Sequence, residues 1–301
     1  MNQIMHPAPL KKDDTIGVMA ASCHVPAIDV ETARKFMDTK GYKTFVHDQT
    51  FAKLNQSAGT AEEKANALNE LFANPNIKAI FGARGGNRAP TILDKIDYDL
   101  IAQNPKIFAG YSDTTALLNA IHEKTGLITF HGIHFLNLPS HPDYEDMVAI
   151  LRGEKTDFDL SSCFSLRNGE AEGKILGGNL SMLQALIGTP YLPNLEGAIL
   201  ILEDVGDHLS RYDRMFCHLK NTGILKSLSA LIIGSFSDVQ DSETNPFGFT
   251  LQECIEEHTA GTSYPILMNA PFGHAETLKT LPIGANATLK NGQLSFKAFN
   301  K

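Results

Sequence analysis

The 301-residue sequence predicts an α/β protein in two parts: an N-terminal doubly wound, mostly parallel sheet, and a C-terminal mixed α/β domain rich in strands. Three observations carry this expectation. Short apolar runs alternate with helix-spaced apolar residues through the first half. From Gly173 onward the pattern changes to strands with fewer helices. A hydrophobic content of 43% is enough to bury one large or two medium cores.

In chain order, Thr15 to Ala21, Tyr42 to His47, Ile77 to Ala83, Lys106 to Ala109 and Leu127 to Phe130 read as strands. Ile28 to Lys40, Thr60 to Asn74 and Asp113 to Lys124 carry helical spacing between them. Such alternation favours parallel strands covered on both faces, with ligands collecting at their carboxyl ends. The stretch from Leu138 to Asn168, rich in proline and charge, reads as a crossover. The expected division is therefore 1–140 for the first domain, 141–172 for the crossover and 173–301 for the second domain. In the second domain Gly173 to Leu176, Ala198 to Leu202, Ala230 to Ser235, Ala287 to Leu289 and Leu294 to Ala298 read as strands. Leu180 to Gly188, Ser210 to Asn221 and Thr250 to Thr259 read as helices.

A net charge of −8 with no long basic block gives no footprint for nucleic acid or an anionic membrane, so small-molecule partners are expected. The four cysteines are widely spaced, which points to free thiols in a reducing compartment rather than a disulfide framework or zinc knuckle. The N-terminal segment lacks the layout of a signal peptide and no apolar stretch approaches a membrane span, so a cytoplasmic location is expected.

Four segments could carry chemistry. In Lys106-Ile-Phe-Ala-Gly110-Tyr-Ser112-Asp-Thr-Thr115, an apolar run breaks at a glycine and a helical pattern begins at once. Ser112 is either an ordinary helix N-cap or a nucleophile presented on a strand-to-helix turn, and local sequence leaves both open. Ala198 to Leu202 ends in Glu203 and Asp204, carboxylates expected to emerge at a strand's carboxyl end. The loop around Gly273 and His274 holds a histidine suited to general-base work. The turn Arg84-Gly85-Gly86-Asn87-Arg88 offers consecutive backbone N–H groups that could cradle an anion or oxyanion, without the spacing of a nucleotide-binding loop. His131 and His134 form the one close histidine pair; with no acidic residue adjacent, they do not read as a metal site. No metal and no organic cofactor is expected.

With these residues in view, the chain resembles the LD-carboxypeptidase family of serine peptidases, a group that also includes microcin C self-immunity hydrolases. The collinear blocks are Ile16-Gly-Val-Met-Ala-Ala-Ser22, Arg84-Gly-Gly86, Gly110-Tyr-Ser-Asp-Thr-Thr-Ala-Leu117, Thr129-Phe-His-Gly132, Gly177-Gly-Asn-Leu180, Leu202-Glu-Asp-Val205, Tyr212-Asp-Arg214, Gly273-His274 and Leu281-Pro-Ile-Gly284. The resemblance implies a triad of Ser112 as nucleophile, His274 as base and Glu203 as the orienting carboxylate. It also implies an oxyanion hole from the backbone N–H of Asp113 and that of Gly86, with Gly85 the neighbouring choice. Catalysis would fall at the domain interface. The implied substrate is a cytoplasmic murein tetrapeptide that loses its terminal D-alanine during wall recycling, and a homodimer is the expected assembly. Arg84, Arg88 and Asn179 are the expected substrate-binding residues. The chain departs from the family pattern at Asn87–Arg88, where Tyr-Gly is common, and at Ile133, where proline is frequent. An immunity-type hydrolase of aminoacyl-nucleotide amides is the rival within the family. A non-catalytic module holding an anionic peptide is the rival outside it, opposed by the presence of all three triad residue types.

Overall fold

The computed structural model describes residues 3–297. Its first half contains β1 (Thr15–Met19), α1 (Ala27–Thr39), β2 (Lys43–Val46), α2 (Ala61–Ala73), β3 (Ile77–Gly82), α3 (Tyr98–Gln103), β4 (Ile107–Gly110), α4 (Thr115–Thr125), β5 (Thr129–His131) and α5 (Tyr144–Leu151). Beyond it lie β6 (Asp157–Asp159), β7 (Phe164–Arg167), β8 (Ala171–Asn179), α6 (Leu180–Leu186), β9 (Ile199–Val205), α7 (Leu209–Asn221), α8 (Ile224–Ser227), β10 (Ala230–Ser237), α9 (Leu251–His258), β11 (Ile266–Met268), β12 (Leu281–Ile283), β13 (Asn286–Lys290) and β14 (Gln293–Phe296). Ala298, the end of the last expected strand, lies outside the described residues.

The first sheet has the order β12-β5-β4-β3-β1-β2, with β1 to β5 parallel. All four residues of β4 are buried, because helices cover both faces of a parallel sheet. Local chemistry starts and stops the helices. Thr60 and Glu63 form a capping box at the start of α2, and Gly126, at φ 80°, ends α4 in the left-handed region that glycine adopts without strain. The strand order reverses between β1 and β3, which opens a crevice at their carboxyl ends. The segments at Ser22, Arg84–Gly86 and Ser112 follow β1, β3 and β4 and so converge on that edge.

The second sheet runs β6-β14-β13-β8-β9-β10-β11-β7. Its centre, β8 to β11, is parallel, and both flanks are antiparallel. This is the mixed, strand-rich second domain that the sequence predicts, with two differences in where its strands come from. The segment read as a crossover supplies β6 and β7 to this sheet. In return, β12 leaves the second half and pairs antiparallel with β5, completing the first sheet through Leu281↔His131 and Ile283↔Thr129. Three-residue strands such as β11 and β12 carry too little periodicity to show in a sequence.

A second tie accompanies β12. The Asp143 carboxylate accepts the Leu278 N–H at 2.8 Å and the Lys279 ammonium at 2.5 Å, and Lys279 also reaches Asp146 at 2.5 Å. The loop between β11 and β12, which carries His274, is thereby anchored on the start of α5.

Candidate active site

Ser112 lies in a single 3-10 turn, 112–114, wedged between β4 and α4, and has φ of 56°. A left-handed backbone at a non-glycine residue costs on the order of 1–3 kcal/mol and needs its surroundings to impose it. The N-cap of α4 is Thr114, which makes no side-chain cap bond, so the helix-cap reading of Ser112 does not describe this residue. Gly110 makes the tight turn possible: a Cβ there would lie 2.9 Å from Thr114 Cγ2.

The glycine turn after β3 faces this elbow. A Cβ on Gly85 would sit 2.8 Å from Ser112 Oγ, so only a glycine backbone can approach the hydroxyl so closely. Gly86 has φ of 132° and rests on Cys23, whose sulfur a Cβ would overlap. Arg84 and Arg88 are exposed at the two ends of the turn, and the Arg88 carbonyl accepts from Lys64 Nζ at 3.1 Å.

Glu203 and His274 come from the second domain. The sequence reading ended the strand at Leu202, but β9 continues to Val205, and both carboxylates are strand residues. Their side chains therefore point to opposite faces. Glu203, 0% exposed, accepts the Nδ1–H of His274 at 2.7 Å. Asp204 accepts from Ser181 N at 2.8 Å, from Ser181 Oγ at 2.8 Å and from Asn179 Nδ2 at 3.2 Å. Asn179, expected among the substrate-binding residues, is buried. Its amide nitrogen is engaged by Asp204 and its oxygen caps α6 by accepting from Met182 N at 3.1 Å.

Burial disfavours a charged imidazole at His274, but the hydrogen bond and charge of Glu203, with Asp204 adding, outweigh it and raise the pKa above the ordinary histidine value. Gly273, φ 110°, lets the loop pass close to the carboxylate: a Cβ there would lie 2.7 Å from Glu203 Cβ and 3.0 Å from Oε2.

Tyr111 connects the two halves. Its ring centroid is 4.9 Å from that of His274 and 4.5 Å from that of His134, so the residue before Ser112 packs directly against His274. The sequence reading weighed His131 and His134 as metal ligands only; the structure places both beneath the serine elbow. His134 Nε2 accepts the Tyr111 N–H at 3.3 Å and lies 3.1 Å from Thr114 Oγ1, while His131 meets Tyr111 edge-on at 6.2 Å. Burial, and then the nearby charge of His274, push both pKa values down to about 3. Two neutral rings thus form an uncharged floor for the elbow. Their spacing around Tyr111 depends on β4 and β5 being neighbours, which a local motif search does not reveal. No cluster of three or more potential metal-ligating side chains occurs among the described residues.

Comparison with known proteins places this geometry. Residues 16–132 match the model of the LD-carboxypeptidase N-terminal domain, and residues 172–289 match that of the C-terminal domain. A probable murein peptide carboxypeptidase of Bacillus subtilis is 31% identical, covering 95% of this chain and 92% of that protein. The microcin C7 self-immunity protein MccF of Escherichia coli is also 31% identical, over 94% of this chain and 92% of its own. Among solved structures, a muramoyltetrapeptide carboxypeptidase from Oxalobacter formigenes superimposes with a TM-score of 0.86 at 29% identity, covering 95% of this chain and 100% of that one. With both domain models matched and relatives aligned along nearly the whole length, the chain belongs to the LD-carboxypeptidase family.

Proposed function

We propose that this carboxypeptidase hydrolyses the bond before the terminal D-alanine of murein tetrapeptides through an acyl-enzyme on Ser112. The observation that supports this reading most strongly is the strained serine elbow facing a glycine turn, with a Glu203–His274 pair brought to its side. In this mechanism His274 takes the Ser112 proton through Nε2 as Oγ attacks the scissile carbonyl. Glu203 holds the Nδ1–H and stabilises the imidazolium that forms. The oxyanion is received by the backbone N–H groups of Asp113 and Gly86, with Gly85 packed against the nucleophile. The C–N bond then breaks as His274 returns its proton to the departing D-alanine amine, and water repeats the sequence on the ester. The two neutral histidines and Tyr111 keep this floor free of competing charge.

Arg84 and Arg88, exposed at the ends of the glycine turn, are suited to a substrate carboxylate through bidentate contacts. Asn179 in this reading positions Asp204 and α6 rather than the substrate. A cytoplasmic place in wall recycling and a homodimeric assembly go with the same reading; fractionation and light scattering test them.

Hydrolysis of aminoacyl-nucleotide amides is the second reading, favoured by the relationship to MccF. The absence of tryptophan from this chain ranks it lower, since stacking of a base would fall to tyrosine or phenylalanine. Mass spectrometry of murein tetrapeptides incubated with wild type and with Ser112→Ala separates the readings. Loss of one D-alanine with wild type alone supports the carboxypeptidase. Uncut peptide beside a Ser112 that reacts with a serine probe moves the case to nucleotide amides.

A further inference from the structure

Beneath the glycine turn lies a polar cluster that the triad does not use. Lys64 on α2 has 0% exposure, an unusual place for a lysine, and its ammonium donates to the Arg88 carbonyl at 3.1 Å. The next backbone group, the N–H of Ala89, donates to Asp113 Oδ2 at 2.7 Å. The carbonyl of Arg88 and the N–H of Ala89 belong to one peptide unit. A single peptide is thus held between an ammonium at its oxygen end and a carboxylate at its nitrogen end, with charge-assisted hydrogen bonds at both. Ser22 Oγ donates to the same Asp113 oxygen at 2.5 Å, and its neighbour Cys23 is the surface on which Gly86 rests.

Three segments therefore meet at one carboxylate: the end of β1, the exit of the glycine turn and the serine elbow. The turn needs such support, because Gly86 at φ 132° and Arg88 at φ 81° are both outside the ordinary right-handed backbone. Asp113 is 2% exposed and immediately follows Ser112, so an uncompensated charge there would oppose the oxyanion. Burial raises its pKa, while the Ser22 and Ala89 hydrogen bonds and the Lys64 charge draw it back toward the ionised form. Lys64 is in the mirror situation, with burial lowering its pKa and Asp113 raising it.

We propose that Lys64 and the Asp113 carboxylate are positioning residues for the oxyanion site: they clamp the Arg88–Ala89 peptide between them and so fix the glycine turn at its working distance from the serine elbow. This inference rests on the acyl-transfer reading of Ser112. It separates two roles for Asp113, whose backbone N–H serves the oxyanion and whose side chain sets where the other donor stands.

The test compares Lys64→Met, Asp113→Asn and Ser22→Ala with Leu68→Ala, a core substitution one turn along the same helix that destabilises while leaving every polar group of the clamp in place. The first readout is the rate at which a fluorophosphonate labels Ser112, which needs no knowledge of the substrate. The second is the separate measurement of kcat and KM on a murein tetrapeptide, and the third is melting temperature. Loss of a direct oxyanion donor costs about 10²–10³ in kcat, so a misplaced donor is expected to cost on the order of 10- to 100-fold. Lys64→Met and Asp113→Asn should lose that much in labelling rate and kcat with KM nearly unchanged. Ser22→Ala should lose less, and Leu68→Ala should lower the melting temperature while labelling at the wild-type rate. Wild-type labelling rates in folded Lys64→Met and Asp113→Asn overturn the clamp. If Lys64→Met does not fold, Asp113→Asn and Ser22→Ala decide by the same criterion. A wild-type protein whose Ser112 is not labelled overturns the acyl-transfer reading, and the inference falls with it.

Discussion

Replacing Glu203 by Gln tests the proposed triad at its most buried point. The substitution keeps the shape of a fully enclosed side chain but removes its charge and offers an amide that can donate where a carboxylate only accepts. Glu203 Oε2 sits 2.7 Å from His274 Nδ1. An amide N–H turned to that position forces Nδ1 to accept, which places the imidazole proton on Nε2 and leaves the ring unable to take a proton from Ser112. Loss of the orienting carboxylate in a triad of this kind costs about 10⁴ in kcat. At about 1.4 kcal/mol per factor of ten, that is roughly 5–6 kcal/mol of transition-state stabilisation. The pH profile carries a second signature. His274 works as a base only when neutral, so kcat/KM should rise with pH through a pKa raised above the usual histidine value by Glu203 and Asp204 against the pull of burial. In Glu203→Gln the burial remains and the main opposing charge is gone, so the acidic limb should move to lower pH while the plateau collapses. Initial rates with a murein tetrapeptide from pH 5 to 9 read both effects. A variant that keeps its plateau within tenfold, or whose acidic limb does not move, refutes the assignment of Glu203 as the partner of His274.

Three further outcomes are expected. Gly273→Ala adds a methyl 2.7 Å from Glu203 Cβ at φ 110°, so stability should fall by about 1–3 kcal/mol and kcat by more than tenfold; chemical denaturation and initial rates check this. Asp143→Asn removes the charge that holds Leu278 and Lys279, and should cost about 1–3 kcal/mol of stability and lower kcat and the rate of Ser112 labelling together, because the loop that carries His274 loosens and Ser112 is less well activated. Burial holds His131 and His134 neutral down to about pH 3 and His122 down to about pH 4, whereas the unfolded chain protonates near 6.5, so each should withdraw about 1.4 kcal/mol of stability per unit as pH falls through that window. His274 has the opposite sign: its contribution is complete below 6.5 and is lost as pH rises through its raised value. Urea unfolding at pH 7 and pH 5 measures the balance. His122→Gln, which keeps a donor for the Leu127 carbonyl, should reduce the acid slope by one proton, and an unchanged slope would show that His122 is not among the groups responsible.

The parallel strands of both sheets, apart from the three-residue β11, were legible in the sequence because most are apolar runs bounded by turns, and Ser112, Glu203 and His274 stood out because each lies at the end of such a run or in the loop beside one. What the sequence did not show depends on pairing at long range. β12 is three residues long, and only its partner β5 makes it a strand. The burial of Glu203 was hidden for a related reason: charged residues usually end a buried strand, and here β9 continues because each carboxylate finds a partner, His274 on one face and Ser181 on the other. Asn179, expected at the substrate, lies in register opposite Glu203 and caps α6, a role that only the pairing of β8 with β9 makes visible. His131 and His134 stood out in the sequence only as a close pair that did not read as a metal site. Their meaning appears only once β4 and β5 lie side by side and Tyr111 is set between the rings.

The exchange of β12 also bears on how the chain must be made. β5 ends at residue 131, and its antiparallel partner arrives only with Leu281–Ile283, about 150 residues later. A ribosome that has released the whole first domain has still not delivered the strand that closes its sheet, so the nascent half waits with an open edge. The loop that brings the missing strand is the one that brings His274. Completion of the first sheet and placement of His274 are therefore one folding event, and a chain that stops short of β12 lacks both an edge strand and the strand that closes the His274 loop.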